Sequence, residues 1–260
     1  MQFSTIQYAE SHGIITITLN RPDKRNAISY ELIRDLLAGL EAAAASSCHV
    51  LILTGAGKSF CAGMDLENLQ NLLGRTEDQS IQDSETAARL FRMIYDFPKP
   101  TIAAVNGAAI AGGTGLVTVC DFALAVPEAK FGYTEVRIGF IPAIVSSFLI
   151  ASVGEKRARD LLLTGRIFSA EEAHKLGLVN EIVHPDELMK RARELAAQLL
   201  ENSPASMRAT KELLSGYTRE QLDRQVAQAA RKNAEVRQSA DFKEGVSAFL
   251  EKRRPSWKGK

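Results

Sequence analysis

The sequence predicts an α/β protein that becomes wholly helical towards its C-terminus, and two observations carry that expectation. Short β-rich runs alternate with helical patterns as far as Val126, which is how a sheet with crossover helices reads in one dimension. Past Pro142 the strand signal fades, and residues 201–260 read as helix throughout. The expected division is a core domain over residues 1–200 and a helical assembly region over 201–260.

Each element has a local reason. Ile6-Gln7-Tyr8 and Ile14 to Leu19 are β-rich and flank Glu10-Ser11-His12-Gly13, so the chain should open with a hairpin turning there. A polar stretch from Asn20 to Asn26 leads to a helix with Leu32, Ile33, Leu36, Leu37 and Leu40 at core-facing spacing. His49 to Thr54 is a short buried strand closed by Gly55-Ala56-Gly57. Residues 67–87 are acidic and poorly periodic, and read as mobile helix or loop of the kind that shapes a substrate pocket. Thr101 to Val105 and Phe122 to Val126 are further strands, with a small-residue helix from about Gly112 to Cys120 between them. Ser169-Ala170-Glu171-Glu172 has the form of a capping box, opening a helix that stops near Gly177. Ser203-Pro204 opens a helix with Pro at its first position, and Thr218-Arg219-Glu220-Gln221 caps another running towards Arg237.

Composition narrows the function classes. Of 260 residues, 45% are apolar and 24% charged, enough for a sizeable core and unlike a disordered polyelectrolyte. No apolar run reaches the roughly 18 residues of a membrane span, and Met1-Gln2-Phe3-Ser4 lacks the start of a secretory signal. A net charge of +1 argues against nucleic-acid binding, which needs a broad basic surface. The charge is uneven, however: residues 201–260 hold 13 basic and 8 acidic side chains, a local +5 that is either a solvated face or an anion site. Cys48, Cys61 and Cys120 are an odd, scattered set that reads as reduced cytoplasmic thiols, and the four histidines show no metal-ligand spacing, so no metal is expected.

Two glycine-bearing segments invite chemistry. Gly55-Ala56-Gly57-Lys58-Ser59 fails as a phosphate loop, because Ile52 stands where the first glycine is required. Phe60-Cys61-Ala62-Gly63-Met64-Asp65-Leu66 pairs small residues with a turn, and Asn106-Gly107 to Gly112-Gly113-Thr114-Gly115 ends a strand and opens a helix. Free N–H donors from two such loops could form an oxyanion hole; equally, the glycines could serve only close packing.

These blocks, taken with Asn20-Arg21-Pro22-Asp23-Lys24-Arg25-Asn26-Ala27, Lys130-Phe131-Gly132…Glu135…Gly139…Pro142 and Glu244-Gly245…Phe249-Leu250-Glu251-Lys252-Arg253, resemble the crotonase (enoyl-CoA hydratase/isomerase) superfamily. They occur in family order from residue 20 to the C-terminus. The resemblance implies a crotonase-like spiral of ββα units with a C-terminal helical trimerisation region, an acyl-CoA thioester as substrate, and assembly as a homotrimer or dimer of trimers. It implies an oxyanion hole from the Met64 and Gly112 N–H groups and a catalytic carboxylate at Glu135; the bland reading of Glu135 is a surface glutamate paired with Arg137. Ala62, Asp65 and Leu66 fall at substrate-contact positions, Asp65 more as a brace than an acid. Lys24, Arg25 and Lys252 are candidates to meet the CoA phosphates, or else ordinary solvated cations.

One departure stands out. The second glutamate of the two-glutamate hydratases maps onto Gly115. A chain with Glu135 alone could hydrate a 2-enoyl-CoA with one carboxylate doing both jobs. It could instead move a proton between carbons as a Δ3,Δ2-enoyl-CoA isomerase, or serve as a non-catalytic CoA-binding subunit. Restoring Glu at Gly115 would test whether the missing acid limits hydration. The stretch from Thr134 to Ala143 is similar to bacterial hydratases of branched-chain acyl-CoA degradation and favours hydratase. A cytoplasmic enzyme without cofactor, CoA being part of its substrate, is the resulting expectation, with no nucleic-acid or membrane partner.

Overall fold

The structure is a computed structural model and describes residues 3–259; Met1 and Gln2 of the stretch read for a signal, and Lys260 of the basic end, lie outside the described residues. Strands β1 (Ile6–Ser11) and β2 (Ile14–Leu19) form the expected hairpin in antiparallel register from Ile6 opposite Leu19 to Ser11 opposite Ile14. The turn is tighter than the sequence suggested. Only His12 and Gly13 leave the strands, at φ 51° and 77°, the left-handed pair that lets a two-residue turn match strand twist. Helix α1 (Tyr30–Ala45) starts where Ser29 Oγ accepts the Leu32 N–H at 3.1 Å, and buries Leu32, Leu36, Leu37 and Leu40.

Three strand pairs then repeat one plan: β3 (Val50–Gly55) with β4 (Ser59–Cys61), β5 (Thr101–Val105) with β6 (Ala108–Ile110), and β7 (Phe122–Ala125) with β8 (Lys130–Gly132). The first member of each pair joins one sheet and the second joins another. Helices α2 (Leu66–Asn71) and α3 (Glu77–Tyr95) follow the first pair, α4 (Gly112–Thr118) the second, and α5 (Ala143–Val153) and α6 (Glu155–Thr164) the third. After β9 (Phe168–Ser169), α7 (Ala170–Lys175) and β10 (Glu181–Ile182), the six-stranded sheet reads β1-β2-β3-β5-β7-β10 and the four-stranded sheet β4-β6-β8-β9. Only the β1–β2 and β8–β9 pairings are antiparallel. Every residue of β5 is buried, as expected for a parallel strand covered on both faces. This is the α/β spiral of ββα units.

The chain closes with α8 (Leu188–Leu200), α9 (Pro204–Val236) and α10 (Ala240–Leu250). Three expectations need correction. Residues 67–87 are mostly helix: Thr76 and Gln79 form a reciprocal capping box for α3, a Thr-x-x-Gln signal the acidic composition masked. Thr218 caps nothing, because α9 runs unbroken for 33 residues. Ser169 does cap α7, but its partner Glu172 turns away to Arg166, at 2.5 and 2.9 Å, so the box is half made. Helix α9 packs on α3 and α5, while α10 packs on α2 and on the 3-10 turn Glu135–Ile138. There Phe242 and Val246 join Leu69, Leu72 and Phe140 in a second apolar cluster beside the main core.

Candidate active site

The Asn20–Ala27 motif is a brace. Asn26, fully buried, donates Nδ2 to the carbonyls of Ala56 and Ser59 at 2.9 and 2.7 Å. Arg21 donates to Ala27 O at 2.6 Å and pairs with Asp65 at 2.9 Å. Asp65 in turn caps α2 by accepting the Glu67 N–H at 3.0 Å. The 61–65 loop is thus held from one side by residues some forty positions earlier.

Within that loop Ile28 bridges Met64: the Ile28 N–H donates to Gly63 O at 2.7 Å and Ile28 O accepts from Asp65 N–H at 2.9 Å. The Met64 N–H therefore points away from Ile28, and among the described residues it has no acceptor. Gly63 makes the turn at φ +88°, and a Cβ there would lie 3.0 Å from Ile110 O and 3.1 Å from Ala111 Cβ. The two loops singled out in the sequence are therefore in contact. On the second, the Ala111 N–H donates to Gly132 O at 2.6 Å while its own backbone takes φ 51°, ψ −120°. Gly112 opens α4, where an N–H has no helical acceptor, and none is supplied among the described residues.

Glu135 sits on the 3-10 turn after β8, placed by the Phe140 N–H bond to its carbonyl at 3.0 Å. Gly245 lets α10 lie against this turn; a Cβ there would strike the Ile138 carbonyl. Part of Glu135 is exposed, but Oε2 is shielded from solvent, accepts no hydrogen bond and has no cation within 4.0 Å among the described residues. Arg137 does not pair with it. Burial without compensation raises its pKa from 4.5 to about 7. Tyr133 is fully buried with its hydroxyl 2.6 Å from Thr118 Oγ1, a core residue. The buried Cys61 thiol is pushed up to about 12, far from a thiolate.

Met64, Gly112, Glu135 and Ala62 line one cavity of about 300 Å³, otherwise walled mainly by apolar side chains. Asp65, Leu66, Lys24, Arg25 and Lys252 do not line it. Asp65 is only 6% exposed, with its side chain bonded to Arg21 and to the start of α2, the brace expected of it. Leu66 is 57% exposed beside Met64. Lys24 and Arg25 are exposed, and Arg25 O accepts the Ala62 N–H at 3.0 Å, one bond from the lining. Lys252 is exposed one turn beyond the lining residue Phe249, whose carbonyl takes its N–H at 3.2 Å.

The second-glutamate position is closed as well as empty. A Cβ on Gly115 would strike Val145 Cγ1 and lie 2.8 Å from Phe91 Cε1. A glutamate restored there fits only if the Val145 and Phe91 side chains shift, so that test needs the neighbours changed with it. The stretch 67–87, expected to shape the pocket, supplies Leu69 and Ala87, and the C-terminal block supplies Phe249; sequence reasoning missed the lining residues Leu90, Asn233 and Arg237. The capping box at Thr76 could have flagged the α2–α3 wall; nothing local marks Asn233 or Arg237.

Comparisons with known proteins bear on the family and the fold. The model of the enoyl-CoA hydratase/isomerase family matches residues 9–260. A Thermus thermophilus protein provisionally named enoyl-CoA hydratase is 44% identical over 251 residues, covering 96% of this chain and 99% of its own. The 2,3-dehydroadipyl-CoA hydratase of Escherichia coli is 34% identical, covering 99% and 100%. The crystal structure of an enoyl-CoA hydratase from Bacillus halodurans superposes with a TM-score of 0.89 at 29% identity, covering 94% of this chain and all of that one. The chain belongs to the enoyl-CoA hydratase/isomerase family, the crotonase superfamily. It is an enzyme, and its function is of the enoyl-CoA hydratase type.

Proposed function

We propose that this enzyme adds water across the 2,3 double bond of a 2-enoyl-CoA thioester with Glu135 as its single acid–base group. The observation that carries the reading is a half-buried carboxylate, its Oε2 shielded and without a partner, on the cavity that Met64 and Gly112 also line. The thioester oxygen takes the two free N–H groups. Ionised Glu135 removes a proton from water as the water oxygen bonds to C3, and the alkene electron pair moves towards the thioester oxygen. Each such donor is worth about 2.7–4 kcal/mol of barrier. Glu135 then returns the proton to C2, leaving a 3-hydroxyacyl-CoA. A pKa near 7 suits a group that must both take and give a proton.

The closed Gly115 position favours a second reading, Δ3,Δ2-enoyl-CoA isomerisation, which needs one proton shuttle and no water. Ultraviolet absorbance separates them: hydration destroys the conjugation of a 2-enoyl-CoA, isomerisation of a 3-enoyl-CoA creates it. Glu135→Gln should lower turnover about 10²–10⁴-fold while calorimetry shows acyl-CoA binding retained; unchanged turnover would refute the assignment.

The same reading has Leu66 against the CoA arm and Lys24, Arg25 and Lys252 meeting its phosphates, and draws on no further cofactor. We place residues 201–260 as the assembly region on a core of 1–200, in a homotrimer or dimer of trimers. Leu213, Leu214 and Tyr217, 56%, 60% and 72% exposed on one face of α9, support association. Light scattering that finds a stable monomer would overturn this. No helix among the described residues is long and apolar enough to cross a membrane. The free thiols of Cys48, Cys61 and Cys120 support a cytoplasmic location.

A further inference from the structure

The cavity that holds Glu135 also holds a cation that the proposed mechanism does not use. Arg237, at the C-terminal end of α9, lines it with a side chain only 4% exposed. Of its five N–H donors, one, on Nη1, reaches an acceptor, Asp83 Oδ2, at 3.4 Å. Its Nε is shielded from solvent with no acceptor among the described residues. The guanidinium lies over the Phe140 ring, 5.5 Å from its centre.

Asp83 is a divided partner. The same Oδ2 also receives Tyr30 OH at 2.9 Å and faces Arg75 Nε at 3.6 Å. Two guanidinium groups thus share one carboxylate, and the group carries a surplus positive charge. Beside Arg237, Asn233 is 5% exposed and lines the same cavity. Its side-chain amide bonds Ser84 Oγ at 2.9 Å, and the single Ser84 hydroxyl proton also has Ser80 O at 2.7 Å, so this contact ties α9 to α3. Burial depresses the Arg237 pKa, yet a guanidinium stays charged in proteins. A buried cation with an orphaned donor and a divided partner is the recognition half of an ion pair.

An acyl chain ending in methyl leaves the cation with only its shared contact to Asp83; one ending in carboxylate supplies a second partner. We propose that the acyl group handled here ends in a carboxylate, received by Arg237 where it lines the cavity beside Asn233. This rests on the acyl-CoA reading above, and specifies its substrate as the mono-CoA thioester of an unsaturated dicarboxylic acid.

Two pairs of thioesters of matched chain length, ending in methyl or carboxylate, test it. Saturated acyl-CoA pairs report binding by calorimetry; 2-enoyl pairs report turnover by ultraviolet absorbance. In the wild-type enzyme the carboxylate-ended member of at least one chain length should bind about 10- to 100-fold more tightly. Arg237→Met should abolish that ratio with methyl-ended binding kept or improved. Asp83→Asn, which removes the competing anion, should enlarge it; a merely structural role would weaken both thioesters alike. A wild-type preference for methyl, or none at any length, overturns the proposal even if hydration is fast. A carboxylate preference without hydration or isomerisation sustains it and overturns the catalytic reading instead. Failure of every thioester to bind overturns both.

Discussion

Two ionisable side chains open on one cavity, and the structure treats them in opposite ways. Glu135 has no ionic partner among the described residues, and the two loops that line the cavity with it are irregular backbone, turning at Gly63 with φ +88° and at Ala111 with φ 51°, ψ −120°. Arg237 instead shares one partner with Arg75, and its neighbours are helices, α3 supplying Asp83 and Ser84 and α9 supplying Asn233. Phe140 joins the two, its N–H bonded to the Glu135 carbonyl and its ring under the Arg237 guanidinium. The contrast is instructive. Proton transfer needs a group poised near neutrality, which isolation provides, and donors fixed at angles that only irregular backbone offers. Recognition needs a permanent charge held in a repeatable place, which helices give without strain.

The largest expected stability effect comes from erasing the contrast with a second carboxylate. Gly115→Glu would place a second carboxylate towards the cavity, against Val145 and Phe91. Overpacking of this kind should cost about 3 kcal/mol or more, a fall in Tm of roughly 6–12 °C. The double variant with Val145→Ala should recover part of that loss. Calorimetric unfolding of the two variants checks it; a single variant as stable as the parent would mean the wall yields freely.

A somewhat smaller effect isolates the cost of leaving Glu135 unpaired. Its pKa in the folded protein is raised from 4.5 to about 7, so between those values the folded state holds a proton that the unfolded state has released. Stability contributed by the protonated form is therefore complete below about pH 4.5 and is lost as pH rises through about 7. Glu135→Gln should match the wild type in acid and exceed it by up to about 3 kcal/mol above pH 7, less whatever solvent reaches the carboxyl. Urea unfolding of both proteins from pH 4 to 8 gives the difference directly. A constant difference across that range would show that the carboxylate carries no burial penalty.

The two surroundings were also unequally legible in the sequence. The loops around Met64 and Gly112 announce themselves through glycines and small residues following β-rich runs, and the strands β3, β5 and β7 through continuous apolar segments. The surroundings of Arg237 left no such trace. Helix α3 buries Ser80 and Ser84 in its first half and turns apolar only from Ala88, Leu90, Phe91 and Ile94 on, so a hydrophobic pattern misses its start. The Ser84–Asn233 bond spans 149 positions, a contact no local spacing reveals. Thr218 misled for a related reason: Thr-x-x-Gln is a cap only where the preceding chain leaves the helix, and Gly216 here stays helical within α9. Asp65 was legible as a brace, and its bonds to Arg21 and the Glu67 N–H are of that kind.

The finest test concerns the strained backbone itself. Ala111 holds a conformation open to glycine and costly to any residue with a Cβ. It is fixed from both sides, by its N–H bond to Gly132 O at 2.6 Å and by the start of α4 at its carboxyl side. Ala111→Gly removes the Cβ conflict in the folded state but adds freedom to the unfolded chain, two effects of opposite sign. The relief should prevail, for a net gain of about 0.5–1 kcal/mol in unfolding free energy. Turnover should stay within a few-fold, because the hydrogen bond and the helix still aim the Gly112 N–H. A stability gain with a tenfold loss of turnover would instead show that the alanine methyl, packed 3.1 Å from where a Gly63 side chain would begin, holds the two donor loops in register. Either outcome separates what the backbone angle contributes in the two donor loops from what simple contact contributes, a distinction that does not arise among the helices around Arg237.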